Sequence, residues 1–380
     1  MENRGEMSLF QLVKEAASDT FLREWNGDKF IDRGSFGAVY RISKEGSLGS
    51  QQSALKIIEL SPDTINKYKS EIMALQSIRS EKHAVRIEDF SEVHIGSGKL
   101  ERAFLIVRME LLKPLPKDGM SEDEVIRMGI ELCEVLSKCH MSTPRILHCD
   151  IKPDNILISQ NGDYKLSDFG EARVLDKSQS KGSSGGRGTP YYISPEMHNY
   201  QGYDQKSDLY SLGVTMYTML NGGQVPFYEL GEREAIAKRL RGERFPTIPN
   251  VSAELQRIVR NLCQIDPTKR YQSARTLSAD LLALRKRKRD AEEARIRKEE
   301  QDKAKAEAAR RQAEERERER LAAEKKRKEE QLRRAAEEYE KRRREYEELN
   351  SAQSAAPVGG SFVYDDPDAT ISSDARPPWQ

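Results

Sequence analysis

Apolar residues follow two periods along the first 284 positions of this chain and almost none beyond. Leu9, Leu12, Val13, Ala16 and Thr20 stand at helical spacing, which predicts a short amphipathic helix over residues 8 to 22. Residues 30 to 40 are apolar at both ends, with Gly34 and Gly37 between, and predict two strands joined by a glycine-containing turn. After a second turn, Lys44 to Ser50, the alternating run Ser53-Ala54-Leu55-Lys56-Ile57-Ile58 reads as another strand. Ile65, Tyr68, Ile72, Leu75 and Ile78 return to helical spacing. Residues 85 to 90 and 103 to 109 read as strands, so the first third is mostly β with one helix. Pro114 and Pro116 break the chain after Met109-Glu110-Leu111-Leu112, the expected crossing between two lobes. From Ser121 the pattern turns helical. Ser121 and Glu124 form a capping-box signature, and Val125, Met128, Leu132, Val135 and Leu136 make one apolar face.

From Arg285 to Asn350 the composition shifts to Glu, Lys, Arg, Ala and Gln, with no glycine or proline to interrupt a helix. Acid-to-base pairs recur at i,i+4: Glu293 with Arg297, Glu299 with Lys303, Glu307 with Arg311, Glu324 with Lys328, Glu330 with Arg334 and Glu338 with Arg342. Leu332, Tyr339 and Tyr346 keep a seven-residue interval, but few apolar residues stand upstream. The pattern predicts a solvated single helix with, at most, a weak coiled-coil seam for self-association near its end. The basic run 285 to 289 fits a solvated helix face better than a nucleic-acid or lipid contact. Residues 351 to 380, rich in Ser, Ala, Gly, Pro and Asp, read as a disordered tail.

This tract explains why charged residues reach 33% while the net charge is only +1. No global field favours nucleic acid or an anionic membrane. The opening residues Met1-Glu2-Asn3-Arg4 lead into no apolar core, so a signal peptide is not expected. No apolar run is long enough to span a bilayer. Cys133, Cys139, Cys149 and Cys263 form no C-x-x-C pair and read as reduced thiols of a cytoplasmic protein.

The candidate chemistry lies in His148-Cys149-Asp150-Ile151-Lys152-Pro153-Asp154-Asn155, followed by Asp168-Phe169-Gly170. Asp150 can accept a proton from a hydroxyl, and Lys152 can hold negative charge. Asn155 and Asp168 are hard oxygen ligands suited to Mg²⁺. Phosphoryl transfer needs this set: positioning, a metal to neutralise charge, and an oriented nucleophile. Between the two pieces, apolar runs flank Asn161-Gly162, which predicts a hairpin that returns Asp168 beside Asn155. Either piece alone fits a polar surface loop as well. Lys56 in an apolar strand is costly unless paired, and Glu71 on the following helix is the candidate partner. Glycines 34 and 37 let backbone approach phosphate and Val39 is placed to cover an adenine, although a glycine hairpin without ligand is the commoner use of such a turn.

Taken together, residues 25 to 284 resemble a eukaryotic-type protein Ser/Thr kinase, with a softer resemblance to bacterial members in residues 107 to 112 and 162 to 166. The resemblance implies an α+β, two-lobed fold with a small β-rich lobe and a larger helical lobe, followed by the long charged helix. Together with the flanking patterns it gives four expected regions: a helical extension at 1–24, the kinase domain at 25–284, the charged single helix or weak coiled coil at 285–350 and the disordered tail at 351–380. It implies ATP held by Ile31, Gly34, Phe36, Gly37, Val39, Ala54, Lys56, Glu71, Met109, Glu110 and Leu112. Asp150 and Lys152 would be catalytic, Asn155 and Asp168 would hold Mg²⁺, and protein Ser/Thr hydroxyls, including its own, would be the acceptors. Gly188-Thr189-Pro190-Tyr191-Tyr192-Ile193-Ser194-Pro195-Glu196 resembles the end of an activation segment, Asp208 to Gly213 the buried helix after it, and Arg270 the arginine that pairs with Glu196.

Three positions depart from the family pattern. Asp32 stands at the first loop glycine, Ser194 replaces an alanine, and Cys149 replaces the arginine before the catalytic aspartate. Ser178, Ser180, Ser183 and Ser184 in the activation segment are open to phosphorylation, or merely solvate a flexible loop. A small-molecule phosphotransferase would lack the 188 to 196 stretch and Arg270. A pseudokinase scaffold presenting the long helix is the non-enzymatic alternative, supported by Asp32 and opposed by Lys56, Asp150, Asn155 and Asp168.

Overall fold

The computed structural model describes residues 4–34, 37–47, 49–60, 72, 76, 78, 80–97, 101–175 and 189–353. The chain divides into two compact units, residues 1–292 and 293–380.

The first unit begins with helix α1 (Arg4–Ala16), which starts and ends earlier than its apolar spacing predicts. Thr20 does not extend it. Its hydroxyl instead accepts the Leu22 N–H and caps a single 3-10 turn, Phe21–Glu24, a use that suits a short β-branched hydroxyl better than a helix interior. Five antiparallel strands follow: β1 (Asn26–Gly34), β2 (Gly37–Gly46), β3 (Gly49–Leu60), β4 (Ile87–Ile95) and β5 (Arg102–Glu110). They assemble in the order β1-β2-β3-β5-β4. Gly37, the first residue of β2, lies so close to β3 that a Cβ there would be 2.1 Å from the Ile57 carbonyl oxygen, so only glycine fits.

Two-residue strand β6 (Lys113–Pro114) then leads into α2 (Glu122–Met141). Ser121 and Glu124 make the reciprocal capping box expected of them. Short strands β7 (Arg145–Leu147), β8 (Ile156–Ile158), β9 (Tyr164–Leu166) and β10 (Arg173–Leu175) carry the chain past the candidate site, with β8 and β9 paired as the predicted hairpin. Helices α3 (Pro195–His198), α4 (Gln205–Leu220), α5 (Glu232–Leu240) and α6 (Ala253–Leu262) complete the helical lobe. Helix α4 is buried from Ser207 to Met219, and α2 packs its Val125, Met128, Leu132 and Leu136 face into the same core. The architecture is α+β, as expected.

Helix α7 runs unbroken from Ala274 to Gln353. Its first turns belong to the core through Leu277, Leu281 and Leu284. Lys288 pairs with Asp123 at 2.7 Å and Glu122 at 3.2 Å, and Arg287 pairs with Glu254, so part of the basic run is spent on ion pairs.

In the second unit the helix from residue 293 onward is solvent-exposed through residue 351. The expected pairs of Glu307 with Arg311, Glu324 with Lys328, Glu330 with Arg334 and Glu338 with Arg342 form. Glu299 is instead taken by Arg295 at 2.8 Å. Among the described residues, no helix is long and apolar enough to cross a membrane.

Candidate active site

Asp150 sits on the loop after β7, and the loop's shape is set from sixty residues away. Asp208, near the start of α4, accepts the backbone N–H of His148 at 3.0 Å and of Cys149 at 2.8 Å, and its Oδ2 lies 2.8 Å from His140 Nε2. Burial pushes the Asp208 carboxyl up, but these partners outweigh it and hold it below the usual range. The two backbone bonds fix Cys149 in the left-handed region, with φ 65°. That conformation turns the chain so that Asp150 points into the site. The Cys149 thiol is buried and pushed well above its ordinary pKa by burial, so it is a packing group rather than a nucleophile.

The Asp150 carboxylate is the centre of one hydrogen-bonded cluster. Its Oδ1 accepts the Thr189 N–H and the Thr189 hydroxyl, both at 3.0 Å. Its Oδ2 accepts Asn155 Nδ2 at 3.0 Å and lies 2.9 Å from Lys152 Nζ. Lys152 Nζ also donates to Thr189 Oγ1 at 2.6 Å. Burial works against ionisation of Asp150, and Lys152 outweighs it, so the carboxyl is held below its usual value. Asn155 Nδ2 donates to the Asp150 carbonyl as well, at 2.8 Å, which leaves Oδ1 as the amide atom able to meet a cation.

The hairpin returns the second acid as its pattern predicts. Ser167 donates to the Asn155 carbonyl from its N–H at 2.8 Å and its hydroxyl at 3.0 Å, placing Asp168 directly after a residue bonded to Asn155. His148 Nε2 contacts the Ser167 carbonyl at 2.9 Å, and its ring meets Phe169 edge-on at 4.5 Å. Asp168 is itself left-handed, with φ 57°, and its Oδ1 receives Lys56 Nζ at 2.5 Å. One carboxylate and one amide oxygen are too few for an all-protein cage. They suit Mg²⁺, which takes its other ligands from water and substrate phosphate, so the donor set fits the expected metal.

The β-ladder gathers most of the residues expected around a nucleotide. Val39 stands opposite Lys56, and Ala54 opposite Met109. Gly34 and Gly37 face each other across the β1–β2 turn, and Ile31 is exposed at its edge. Leu112 is half-buried just beyond β5. The Glu110 carboxylate is engaged by Lys165 Nζ at 2.6 Å and the Arg86 N–H at 2.7 Å, and its own N–H donates to the Arg86 carbonyl at 3.1 Å, so the Glu110 side chain is committed within the fold rather than to a ligand. Asp32 is exposed and caps the Arg33 N–H at 2.8 Å. Phe36, Glu71 and the serines at 178, 180, 183 and 184 lie outside the described residues. Farther out, Arg270 pairs bidentately with Glu196 at 2.7 and 2.8 Å, and Ser194 is buried. The sequence reading overlooked Asp208 and His140 as supports of the site. Asp208 follows Gln205-Lys206-Ser207 in the first turn of a helix, where an acid is ordinary, so its local pattern carries no signal of this role.

An acid bonded to a lysine, a threonine and an amide, beside a second acid that meets a strand lysine, defines a site of the phosphotransferase class. Comparison with known proteins makes the assignment specific. The model of the protein kinase domain matches residues 25–282. A probable serine/threonine-protein kinase nek3 from Dictyostelium discoideum is 31% identical over 263 residues, covering 64% of this chain and 22% of its own. CBL-interacting serine/threonine-protein kinase 5 from Arabidopsis thaliana is 30% identical over 250 residues, covering 64% and 54%. Serine/threonine-protein kinase Nek3 from Mus musculus is 30% identical over 262 residues, covering 67% and 49%. The chain thus belongs to the protein kinase family, in its eukaryotic-type serine/threonine branch, and it spans about half or less of the length of these relatives.

Proposed function

We propose that this chain is an ATP- and Mg²⁺-dependent protein kinase that transfers the γ-phosphoryl group to Ser/Thr hydroxyls of protein substrates, itself included. The observation that carries the reading is the single cluster of Asp150, Lys152, Asn155 and Thr189, joined through Ser167 to Asp168 and Lys56.

Asp150 orients the acceptor hydroxyl. Its depressed pKa makes it a weak base, which suits a loose transition state in which the hydroxyl proton leaves late and positioning counts most. Lys152 places a cation beside the same carboxylate, where the transferred phosphoryl's charge is held. Thr189 lines the acceptor side. Lys56 and the backbone of the β1–β2 turn hold the remaining phosphates, and the strand end at residues 109 to 112 holds the base. Asn155 Oδ1 and the Asp168 carboxylate would hold Mg²⁺, which when bound supplies neutralisation of phosphate charge. We assign residues 25–284 to the kinase domain, with 1–24, 285–350 and 351–380 as its appendages. Four cysteines without a disulfide support a reducing, cytoplasmic setting.

The test is purified protein with labelled ATP and Mg²⁺ beside Asp150→Asn. Label is expected on the chain and on added Ser/Thr protein with wild type, and not with the variant. Wild type that binds ATP yet transfers nothing would favour the inactive scaffold.

A further inference from the structure

Residues 4 to 24 precede the segment that the kinase-domain model matches, yet they complete the nucleotide lobe. Phe10, Val13, Ala17 and Leu22 are buried in one core with Trp25, Tyr40, Ile42, Leu55, Ile57, Phe104 and Ile106. The opposite face of the same strands carries Ile58, Leu105 and Val107, with Met109 packed against them. Successive residues of β5 therefore alternate: Phe104 and Ile106 face the N-terminal segment, while Leu105, Val107 and Met109 face away from it. Arg108 falls on the N-terminal side.

Arg108 is held there by four groups. Its guanidinium lies 4.7 Å over the Trp25 ring and 5.6 Å over the Phe21 ring. Its Nη1 donates to Glu88 Oε2 at 3.0 Å, and its Nη2 lies 3.9 Å from Asp89. Its Nε is buried without a hydrogen-bond partner, while the side chain as a whole is 19% exposed and keeps the two ring faces as its neighbours. Trp25 is fixed in turn, because Lys14 Nζ of α1 donates to its carbonyl at 2.6 Å and to Asn26 Oδ1 at 2.9 Å. The residues next along the chain are Met109 and Glu110, and Glu110 is already tied to Lys165.

We propose that Phe21 and Trp25 clamp Arg108 to hold the end of β5 in its nucleotide-binding position, which makes the N-terminal extension a working part of the ATP site and Arg108 a positioning residue. This rests on the reading of residues 109 to 112 as the adenine-binding stretch. Without the clamp the strand end samples other positions, and apparent affinity falls by the fraction that remains competent.

The experiment uses the full chain and MgATP, with Kd by calorimetry, KM and kcat by phosphoryl transfer, and thermal stability recorded together. Arg108→Met and Phe21→Ala are expected to raise Kd and KM for ATP about tenfold, with kcat within about twofold of wild type. Glu88 keeps Ser53 and Arg86 as partners in Arg108→Met, so that variant folds. Arg108→Lys should recover most of the affinity. Val93→Ala, in the same core but away from the clamp, should lower stability without changing Kd. Unchanged Kd in both clamp variants, or an equal loss of affinity in Val93→Ala, overturns the proposal. Wild type that binds MgATP without transferring phosphate removes the kinase reading, while the clamp still stands or falls on the Kd values. Wild type that binds no MgATP removes both.

Discussion

Replacing Arg270 by methionine tests the helical lobe's buried ion pair. The Arg270 side chain is 0% exposed and that of Glu196 is 9% exposed. Beyond the two bonds to Glu196, Arg270 donates to the carbonyl oxygens of Gln264 at 2.6 Å, Ile265 at 3.0 Å and Lys206 at 3.2 Å, and its guanidinium lies 4.7 Å over the Tyr210 ring. The variant leaves a buried carboxylate without its cation and removes one donor from each of three carbonyls. Removing one partner of a buried pair costs about 3–5 kcal/mol. In a domain of this size each kcal/mol moves Tm by about 2–4 °C, so Tm should fall by about 6–20 °C near neutral pH.

The pH dependence carries a sign that separates this mechanism from simple loss of packing. Burial opposes the charge on Glu196, but Arg270 and then Ser207 outweigh it and hold the carboxyl below its usual range. A carboxyl with a depressed folded pKa contributes stability above its unfolded value of about 4.3 and loses it as pH falls through the folded value. In Arg270→Met burial acts without the cation, the folded pKa moves up, and the charge costs stability as pH rises. The Tm gap between wild type and variant should therefore narrow as pH falls from about 7 toward about 4. Scanning fluorimetry across that range, with Glu196→Gln and the double variant, completes a cycle whose coupling should reach at least about 2 kcal/mol. The double variant should recover only part of the loss, because the three carbonyls stay without Arg270. A gap below about 2 °C, or one independent of pH, would refute the reasoning.

Lys56→Met and Asp168→Asn should each abolish phosphoryl transfer while leaving the circular dichroism spectrum unchanged; undiminished autophosphorylation in either would remove their assigned roles. A fragment of residues 285 to 350 should be helical and monomeric, because Leu332, Tyr339 and Tyr346 are exposed with few apolar residues upstream, and a tight dimer in sedimentation would replace the single helix with a coiled coil. Replacing Ser178, Ser180, Ser183 and Ser184 together by alanine should leave activity on an added peptide within a few-fold of wild type, because Cys149 offers no cation to a phosphate and a lost contact of about 1.4 kcal/mol would already mean tenfold. A hundredfold drop, restored only by phosphorylated wild type, would show that another cation does that work.

Elements with a strong local signal were legible. The capping box at Ser121, the Asn161-Gly162 hairpin and the uninterrupted helix beyond Arg285 each follow from residues within one or two turns of each other. The extent of α1 was not. Leu9, Leu12, Val13 and Ala16 continue to Thr20 in spacing, but a threonine hydroxyl that can cap the next turn outcompetes one more helical residue. The covering role of α1 was equally hidden, since its stripe says that it packs but not on which sheet face.

The site shows the same division between what neighbours in sequence can reveal and what distant groups impose. Asp150, Lys152 and Asn155 share one short loop, so their chemistry could be read together. The loop's conformation could not, because its cost and its compensation lie far apart. Cys149 and Asp168 are both left-handed, a state that costs a residue other than glycine of order 1 kcal/mol or more. At Cys149 two hydrogen bonds to the Asp208 carboxylate offset that cost, and bonds to a charged acceptor contribute about 1.5–3 kcal/mol each. At Asp168 the flanking residues are held instead, Ser167 by Asn155 and His148, and Phe169 by the His148 ring. His148 thus braces both turns, and neither acid could keep its direction if the helix carrying Asp208 shifted. The acids that face the substrate are the visible half of this arrangement. The half that aims them is a carboxylate buried sixty residues downstream, which its own neighbours in sequence present as an ordinary acid in the first turn of a helix.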